Sequence, residues 1–297
     1  MKVIRASAMG MCFGVRDALD IIEQLPNPKG ITIYGELVHN EEVVEGLKKK
    51  GFQSIPESQR KEIPDSPEIL ITAHGISEKE KTKFLNSGKN LIDTTCPLVR
   101  YVHESAKLWQ TRGYFIVVIG KPNHVEVQGI IGDLDKFDVV QNSNEVKYYD
   151  AEKIAIVCQT TTQPMEAARI REEIVKKNPH NEIRYIDTIC RPTKDRQFAA
   201  LDLIQQVEAL VVVGGKHSNN TKQLVKLAES HHLPVFHVQT ALDLNPIWLQ
   251  NFHTVGLTAG TSTLDETIDA VEQKLRSINE LKPAIASKLN SGRLSYV

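Results

Sequence analysis

Three cysteines, Cys12, Cys96 and Cys190, recur at long and similar intervals. The segments around the second and third nearly repeat one another: Ile92-Asp-Thr-Thr-Cys96-Pro97 and Ile186-Asp-Thr-Ile-Cys190, with Pro192 close behind. Cys12 follows a shorter apolar run, Val3-Ile4, and Gly10. One thiol per repeat, delivered to a shared centre, suits a metal ion or an iron–sulfur cluster that keeps one coordination position open. None of the three sits in the Cys-x-x-Cys pair of a zinc ribbon or a ferredoxin. The plain alternative is three buried cysteines at strand ends, since free cysteine is among the most buried residue types; a shared ligand set also explains the repeated position. Three thiolates on a [4Fe–4S] cluster would leave the fourth iron open to a substrate oxygen. A zinc hydrolase with Cys₃ ligation and a metal-bound water is the competing enzyme class, and a non-catalytic iron–sulfur sensor or carrier is a third reading. Cys158 stands outside the repeat, at a strand end where the other segments have Ala73 and Ala259, and reads as a small buried residue.

Hydrogen-bond donors recur beside the thiols. His39-Asn40, His124 with Glu126, and Ser218-Asn219-Asn220 fall at nearly the same distance downstream of the three cysteines. A second set, His74, Thr160 and Ser262, follows other strand ends. Such donors at strand ends near helix N-termini suit an anion, phosphate or diphosphate. A sensor needs no ring of this kind. There is no Walker motif and no Gly-x-Gly-x-x-Gly, so no nucleotide is indicated. Glu126 is the only carboxylate inside such a cluster. It reads either as a proton donor with a raised pKa or as a solvated loop residue, and spacing alone leaves the two even. His103, His180, His231, His232, His237 and His253 fall outside the repeat.

The elements that must carry these residues can be read from periodicity. Val15, Leu19 and Ile22 follow Cys12 at helical spacing; Val99, Val102, Ala106 and Trp109 follow Cys96; Phe198, Leu201 and Ile204 follow Cys190. Each helix gives way to an apolar strand ending at glycine: Ile31 to Gly35, Phe115 to Gly120, and Leu210 to Gly214. Second strands follow at Glu68–Ala73, Lys153–Val157 and Thr254–Thr258. Continuous apolar strands alternating with helices predict parallel α/β sheets, right-handed crossovers and ligands beyond the carboxyl ends of the strands. Three small α/β units are expected, 13–95, 96–190 and 191–280, the third completed by a strand from 1–12, with a tail at 281–297 that caps the assembly or frays.

Composition fits an ordinary soluble protein: 297 residues, 41% hydrophobic, 25% charged, net charge −1. That balance gives no reason to expect nucleic acid or a membrane surface as partner. No apolar run approaches membrane-spanning length and no signal region is evident. The expected location is therefore the cytoplasm, where patterned cysteines are ligands or catalysts rather than disulfides.

The motifs resemble those of one family, the 4-hydroxy-3-methylbut-2-enyl diphosphate reductases of the methylerythritol phosphate route to isoprenoids. The likeness runs from Met9-Gly-Met-Cys12-Phe-Gly-Val15 to Thr258-Ala-Gly-Thr-Ser262. It includes Val38-His39-Asn40, Ala73-His74-Gly75, Asp93-Thr-Thr-Cys96-Pro-Leu-Val99, His124-Val-Glu126-Val127, Gln159-Thr160-Thr161, Thr188-Ile-Cys190 and Arg196-Gln197. The resemblance implies a pseudo-three-fold trefoil of α/β units around one central [4Fe–4S] cluster per chain, held by Cys12, Cys96 and Cys190. It implies that Glu126 and Thr160 relay protons, and that His39, His74, His124, Ser218, Asn220 and Ser262 hold the diphosphate and order the site. The implied reaction removes the hydroxyl of an allylic diphosphate as water, giving isopentenyl and dimethylallyl diphosphates, with electrons from a ferredoxin or flavodoxin. Three positions depart from the family's pattern. Phe13 stands where a small residue is common, Val125 replaces a proline, and Asn219 replaces a serine. Asn219 still donates, so the phosphate reading survives, but its length alters the fit. A paralogue acting on a related phosphorylated substrate is the nearest alternative.

Overall fold

The computed structural model describes residues 1–60 and 62–290, without the side chains of Ser58 and 279–290. Its strands are β1 (Lys2–Arg5), β2 (Ile31–Tyr34), β3 (Gln53–Ser54), β4 (Glu68–Ile71), β5 (Asn90–Asp93), β6 (Phe115–Ile119), β7 (Phe137–Val140), β8 (Lys153–Cys158), β9 (Glu182–Tyr185), β10 (Ala209–Val213), β11 (Val235–Val238) and β12 (Thr254–Ala259). The helices are α1 (Phe13–Glu23), α2 (Glu41–Lys49), α3 (Glu78–Asn86), α4 (Pro97–Thr111), α5 (Val125–Ile131), α6 (Pro164–Lys177), α7 (Arg191–Ile204), α8 (Asn219–Ser230) and α9 (Asp265–Asn290).

The strands form three four-stranded sheets of one design: β3-β2-β4-β5, β7-β6-β8-β9 and β11-β10-β12-β1. Every pairing is parallel. In each sheet the two inner strands are the apolar runs read from the sequence, and an outer strand leads toward a cysteine. In the third sheet that outer strand is β1, which pairs Lys2–Arg5 with Thr254–Leu257. The inner strands are buried because helices cover both their faces, the condition under which parallel sheets occur. Val117, Ile119, Ile154 and Ile156 pack with Ala167, Ile170 and Ile174 of α6. The alternate residues Ile116, Val118, Ala155 and Val157 pack with α4 and α5 through Val102, Ala106, Val127 and Ile130. In the third sheet Val211 and Val213 face Ile268, Val271 and Leu275 of α9, whereas Leu210 and Val212 face Leu203 of α7 and Leu224 of α8.

By compactness the chain divides in two. One unit is Cys12–Lys194, with the first two sheets; the other is Met1–Met11 with the chain from Asp195 onward, carrying the third. α9 continues to Asn290, past the expected end of the third unit at 280. Residues 291–297 of the expected tail lie outside the described residues. Of the Phe198-Leu201-Ile204 stripe on α7, Ile204 is buried and Leu201 packs against the core, but Phe198 is 56% exposed. Thr193, Arg196 and Gln197 are buried instead, so polar side chains fill the first turns of the buried face. Among the described residues no helix is long and apolar enough to cross a membrane.

Candidate active site

Each cysteine stands where a helix begins. Cys12 and Cys96 are the N-cap residues of α1 and α4, and Cys190 immediately precedes α7. All three are free and partly exposed. Burial pushes the Cys96 thiol up against the thiolate-favouring N–H groups of Leu98 and Val99, and nearby Cys12 and Glu126 push it further. Burial likewise pushes Cys190 up to about 11 against its Thr193 hydrogen bonds, with Glu126 and Cys12 again adding to the shift. Cys96 and Cys190 thus both feel Cys12 and Glu126, so the three thiols and the carboxyl share one neighbourhood. Gly14, in the first turn of α1, admits this approach: a Cβ there would lie 2.4 Å from the Cys96 sulfur. Among the described residues no group of three or more His, Cys, Asp or Glu side chains is arranged to hold a single metal ion.

The turns bearing Cys96 and Cys190 are fixed by matching bonds. The Cys96 N–H donates to the Ala73 carbonyl at 3.1 Å, and the Cys190 N–H to the Thr160 carbonyl at 3.0 Å. Ahead of Cys96, the Asp93 carboxylate accepts from the Thr95 N–H at 2.9 Å and pairs with Lys81 at 3.0 Å and Arg100 at 3.4 Å. Ahead of Cys190, Asp187 pairs with Lys194 at 2.6 Å. The aspartate of the repeated Ile-Asp-Thr is therefore a clamp across the thiol-bearing turn.

Glu126 occupies the first turn of α5 and is 2% exposed. Its Oε1 accepts the Thr160 N–H at 2.6 Å, and its Oε2 lies 2.9 Å from the Thr160 hydroxyl. Burial raises its pKa to about 7 against the opposing pull of both Thr160 bonds and of His39. The solvated-loop reading of Glu126 is therefore excluded.

His124 caps α5, its Nδ1 accepting the Glu126 N–H at 3.1 Å. His39, His74 and His124 form one cluster, with ring centroids 4.5, 5.3 and 5.7 Å apart. Burial holds His74 well below the ordinary imidazole range, with His39, His124 and Arg60 adding to the effect. His39 Nδ1 lies 3.0 Å from the Glu36 carboxylate.

The remaining predicted residues belong to the other compact unit. Ser218 caps α8, accepting from the Thr221 N–H at 3.3 Å. Asn219 and Asn220 open the helix, and the Asn220 side-chain Oδ1 accepts the Thr261 N–H at 3.1 Å. Ser218, Asn219, Asn220 and Ser262 are all buried. Two loops of this unit, after β10 and after β12, thus supply hydroxyls, amides and a helix N-terminus without an ionisable side chain among the four.

Residues 3–276 match the family described as LytB protein. The chain belongs to this family. It is 35% identical over 281 residues to the 4-hydroxy-3-methylbut-2-enyl diphosphate reductase of Thermoanaerobacter sp. (strain X514), covering 93% of this chain and 97% of the relative. It is 36% identical over 280 residues to the reductase of the same name from Helicobacter pylori (strain Shi470), covering 94% and 100%. Among solved structures, the Plasmodium falciparum E-1-hydroxy-2-methyl-but-2-enyl-4-diphosphate reductase matches with a TM-score of 0.83 at 28% identity, covering 94% of this chain and 87% of that one. An (E)-4-hydroxy-3-methyl-but-2-enyl diphosphate reductase, described as the terminal enzyme of the non-mevalonate pathway, matches with a TM-score of 0.64 at 32% identity, covering 93% and 100%.

Within this LytB-family chain several supporting residues escaped the motif reading. Thr193 accepts from the Cys190 thiol at 3.1 Å, Gly14 makes room for Cys96, and Glu36 faces His39. Gly14 lies inside the quoted Met9–Val15 motif and Glu36 stands just before Val38-His39-Asn40, which was the available signal. The register also corrects the counterpart of Cys158: the strand pairing aligns it with Ala259 and with Ile71, not Ala73. Cys158 is fully buried, and burial raises its thiol to about 12. Of the three departures, Phe13 is 47% exposed beside Cys12, Val125 is buried at the start of α5, and Asn219 is buried at the start of α8.

Proposed function

We propose that this chain is a [4Fe–4S]-dependent 4-hydroxy-3-methylbut-2-enyl diphosphate reductase that works in the cytoplasm and receives electrons from a ferredoxin or flavodoxin. The observation that carries the reading is the buried Glu126–Thr160 pair in the neighbourhood of three free thiols, in a chain of this family. Cys12, Cys96 and Cys190 would hold the cluster, and Gly14, whose Cβ would collide with the Cys96 sulfur, is a residue such a convergence requires. When bound, the cluster supplies electrons and a Lewis-acidic iron.

The chain's own groups supply the proton. Glu126 Oε1 faces a peptide N–H and can only accept there. Oε2 faces a hydroxyl, which can donate or accept. The acid proton therefore resides on Oε2, where it can pass through the Thr160 hydroxyl. A pKa of about 7 keeps this donor half loaded near neutrality. Expelling an allylic hydroxyl as water needs such an acid. Overall, the substrate takes up two electrons and two protons, the C–O bond breaks, and water leaves with isopentenyl or dimethylallyl diphosphate as the other product. Ser218, Asn219, Asn220 and Ser262, with His39, His74 and His124, would bind the diphosphate through neutral and charge-assisted hydrogen bonds.

The test is anaerobic purification followed by iron and sulfide analysis and product assay. The reading expects about four iron and four sulfide per chain and both isoprenoid diphosphates when substrate and a strong reductant are added. Zinc with no iron would favour the hydrolase reading instead. A brown protein that binds inorganic diphosphate yet leaves this substrate unchanged would point to a related phosphorylated substrate.

A further inference from the structure

Backbone bonds tie together the two loops of the third sheet that carry Ser218, Asn219 and Asn220 on one side and Ser262 on the other. The Gly260 N–H donates to the Val213 carbonyl at 2.9 Å, and the Thr263 hydroxyl donates to the same carbonyl at 3.1 Å. The Thr263 N–H donates to the Gly260 carbonyl at 3.1 Å, closing a turn around Ser262. From the start of α8, Asn220 Oδ1 reaches that turn by accepting the Thr261 N–H.

One side chain lies between the two strand ends. Thr221 is fully buried, and its N–H donates to the Ser218 hydroxyl at 3.3 Å, which anchors it to the cap of α8. A Cβ at Gly214, just after β10, would overlap the Thr221 hydroxyl oxygen and lie 3.1 Å from its methyl carbon. A Cβ at Gly260, just after β12, would overlap the same oxygen, and the three heavy atoms nearest to it all belong to Thr221. Only hydrogen fits between this hydroxyl and either glycine. The hydroxyl has no hydrogen-bond partner among the described residues. Leaving it buried and unpaired costs stability, so hydrogen bonding is not its contribution. Its contribution is size: one oxygen holds two backbones apart.

We propose that Thr221 is a positioning residue whose hydroxyl oxygen is the spacer between the strand ends at Gly214 and Gly260, setting the separation of the two loops that bind the anion. Resting on the diphosphate-site reading above, it adds what fixes the distance from Ser218, Asn219 and Asn220 to Ser262. Hydrogen bonds weaken away from their preferred length and angle, so a change in this separation degrades several donors at once.

The test is an exchange of size between positions 221 and 260. Gly260, unlike Gly214 at φ +152°, has no positive φ, so a methyl there meets Thr221 without straining the backbone. Once Thr221→Ala removes the hydroxyl, the nearest atom to that methyl is the Cβ of position 221, 3.2 Å away. The measurement is the affinity of the iron-loaded protein for inorganic diphosphate by calorimetry at one pH, with the cluster spectrum and melting temperature followed in parallel. Gly260→Ala should weaken binding by about tenfold or more. Thr221→Ala should weaken it by a smaller factor, because the backbone bonds still limit how far the gap closes. The double variant should bind more tightly than Gly260→Ala alone, and Thr221→Ser, which keeps the oxygen, should lose less than Thr221→Ala. Losses that simply multiply in the double variant, or Thr221→Ala at parental affinity, overturn the proposal. So do melting temperatures that fall and recover with no matching pattern in affinity, the mark of a merely structural role. If Gly260→Ala does not fold, the comparison of Thr221→Ala with Thr221→Ser decides the matter alone. Failure of the parent protein to bind inorganic diphosphate would instead overturn the diphosphate-site reading.

Discussion

The loop after β6 and the loop after β10 occupy the same place in two copies of one sheet design, and they carry opposite chemistry. Both begin at a glycine and end at a helix N-cap, His124 in one and Ser218 in the other. The first brings an imidazole and a carboxyl with pKa about 7. The second has Lys216 and His217 exposed, and the side chains it buries are a hydroxyl and two amides, none of them ionisable. One backbone solution, a strand end feeding a helix N-terminus, therefore presents an ionisable pair in one sheet and buried neutral donors in the other. The side chains at and just after the cap decide which, because the N-terminal N–H groups favour anions in both.

That contrast can be broken most severely at the thiols, which belong to the ionisable side. Cys12→Ser, Cys96→Ser and Cys190→Ser should each abolish cluster retention, measured as iron and sulfide per chain, because a hydroxyl replaces thiolate poorly on iron. Cys158→Ser should stay brown. A colourless Cys158→Ser beside a brown Cys190→Ser would reverse the assignment.

Next comes the ionisable loop itself. Glu126→Gln keeps the shape of the side chain but removes the acid proton, so turnover should fall about 10²-fold or more with cluster and substrate binding intact. In the parent, turnover should decline as pH rises through about 7, the value to which burial lifts this carboxyl. Turnover within a few-fold of the parent, with chemistry rate-limiting, would erase the difference between the loops and direct attention to His124.

The neutral loop should respond differently. Ser218→Ala and Asn220→Ala should each weaken diphosphate binding by about 1–3 kcal/mol, by the same factor at every pH, with the cluster spectrum unchanged. Calorimetric titration at two pH values checks that the factor is constant.

The smallest effect is on stability. Glu126 has a folded pKa above its unfolded value, so the folded state binds the extra proton. Its contribution is fully present below the unfolded carboxyl pKa and is lost as pH rises through about 7. Thermal melts from acid to neutral pH should show a decline in the parent worth about 1–3 kcal/mol, and a shallower one in Glu126→Gln.

Much of this was legible in the amino-acid sequence because the repeat is written in residues that parallel sheets require. The apolar runs ending at Gly35, Gly120 and Gly214 are the inner strands, since burial on both faces leaves a continuous hydrophobic signature. The cysteines and their Ile-Asp-Thr lead-in were readable for the same reason. What escaped depends on geometry that spacing does not encode. At the start of α7 Phe198 was misplaced, because Thr193, Arg196 and Gln197 are buried polar residues that periodicity counts as solvent-facing. Ala73 was aligned with Cys158 where the register supplies Ile71. The raised pKa of Glu126 needs burial, which a lone carboxylate in a loop does not announce. Glu36 came into view only once the turn at Gly35 set its carboxylate against the His39 ring.

The pairing of β1 with β12 has a consequence for the order in which the protein is made. Lys2–Arg5 are made long before their partners, Thr254–Leu257, which lie far along the sequence. The third sheet cannot close until then, and closing so long a loop carries a large entropic cost. The unit Cys12–Lys194, with all three thiols, is complete in sequence well before that. During synthesis the unit Cys12–Lys194 can therefore fold while β1 still waits for β12, the inner strand beside which it must pair.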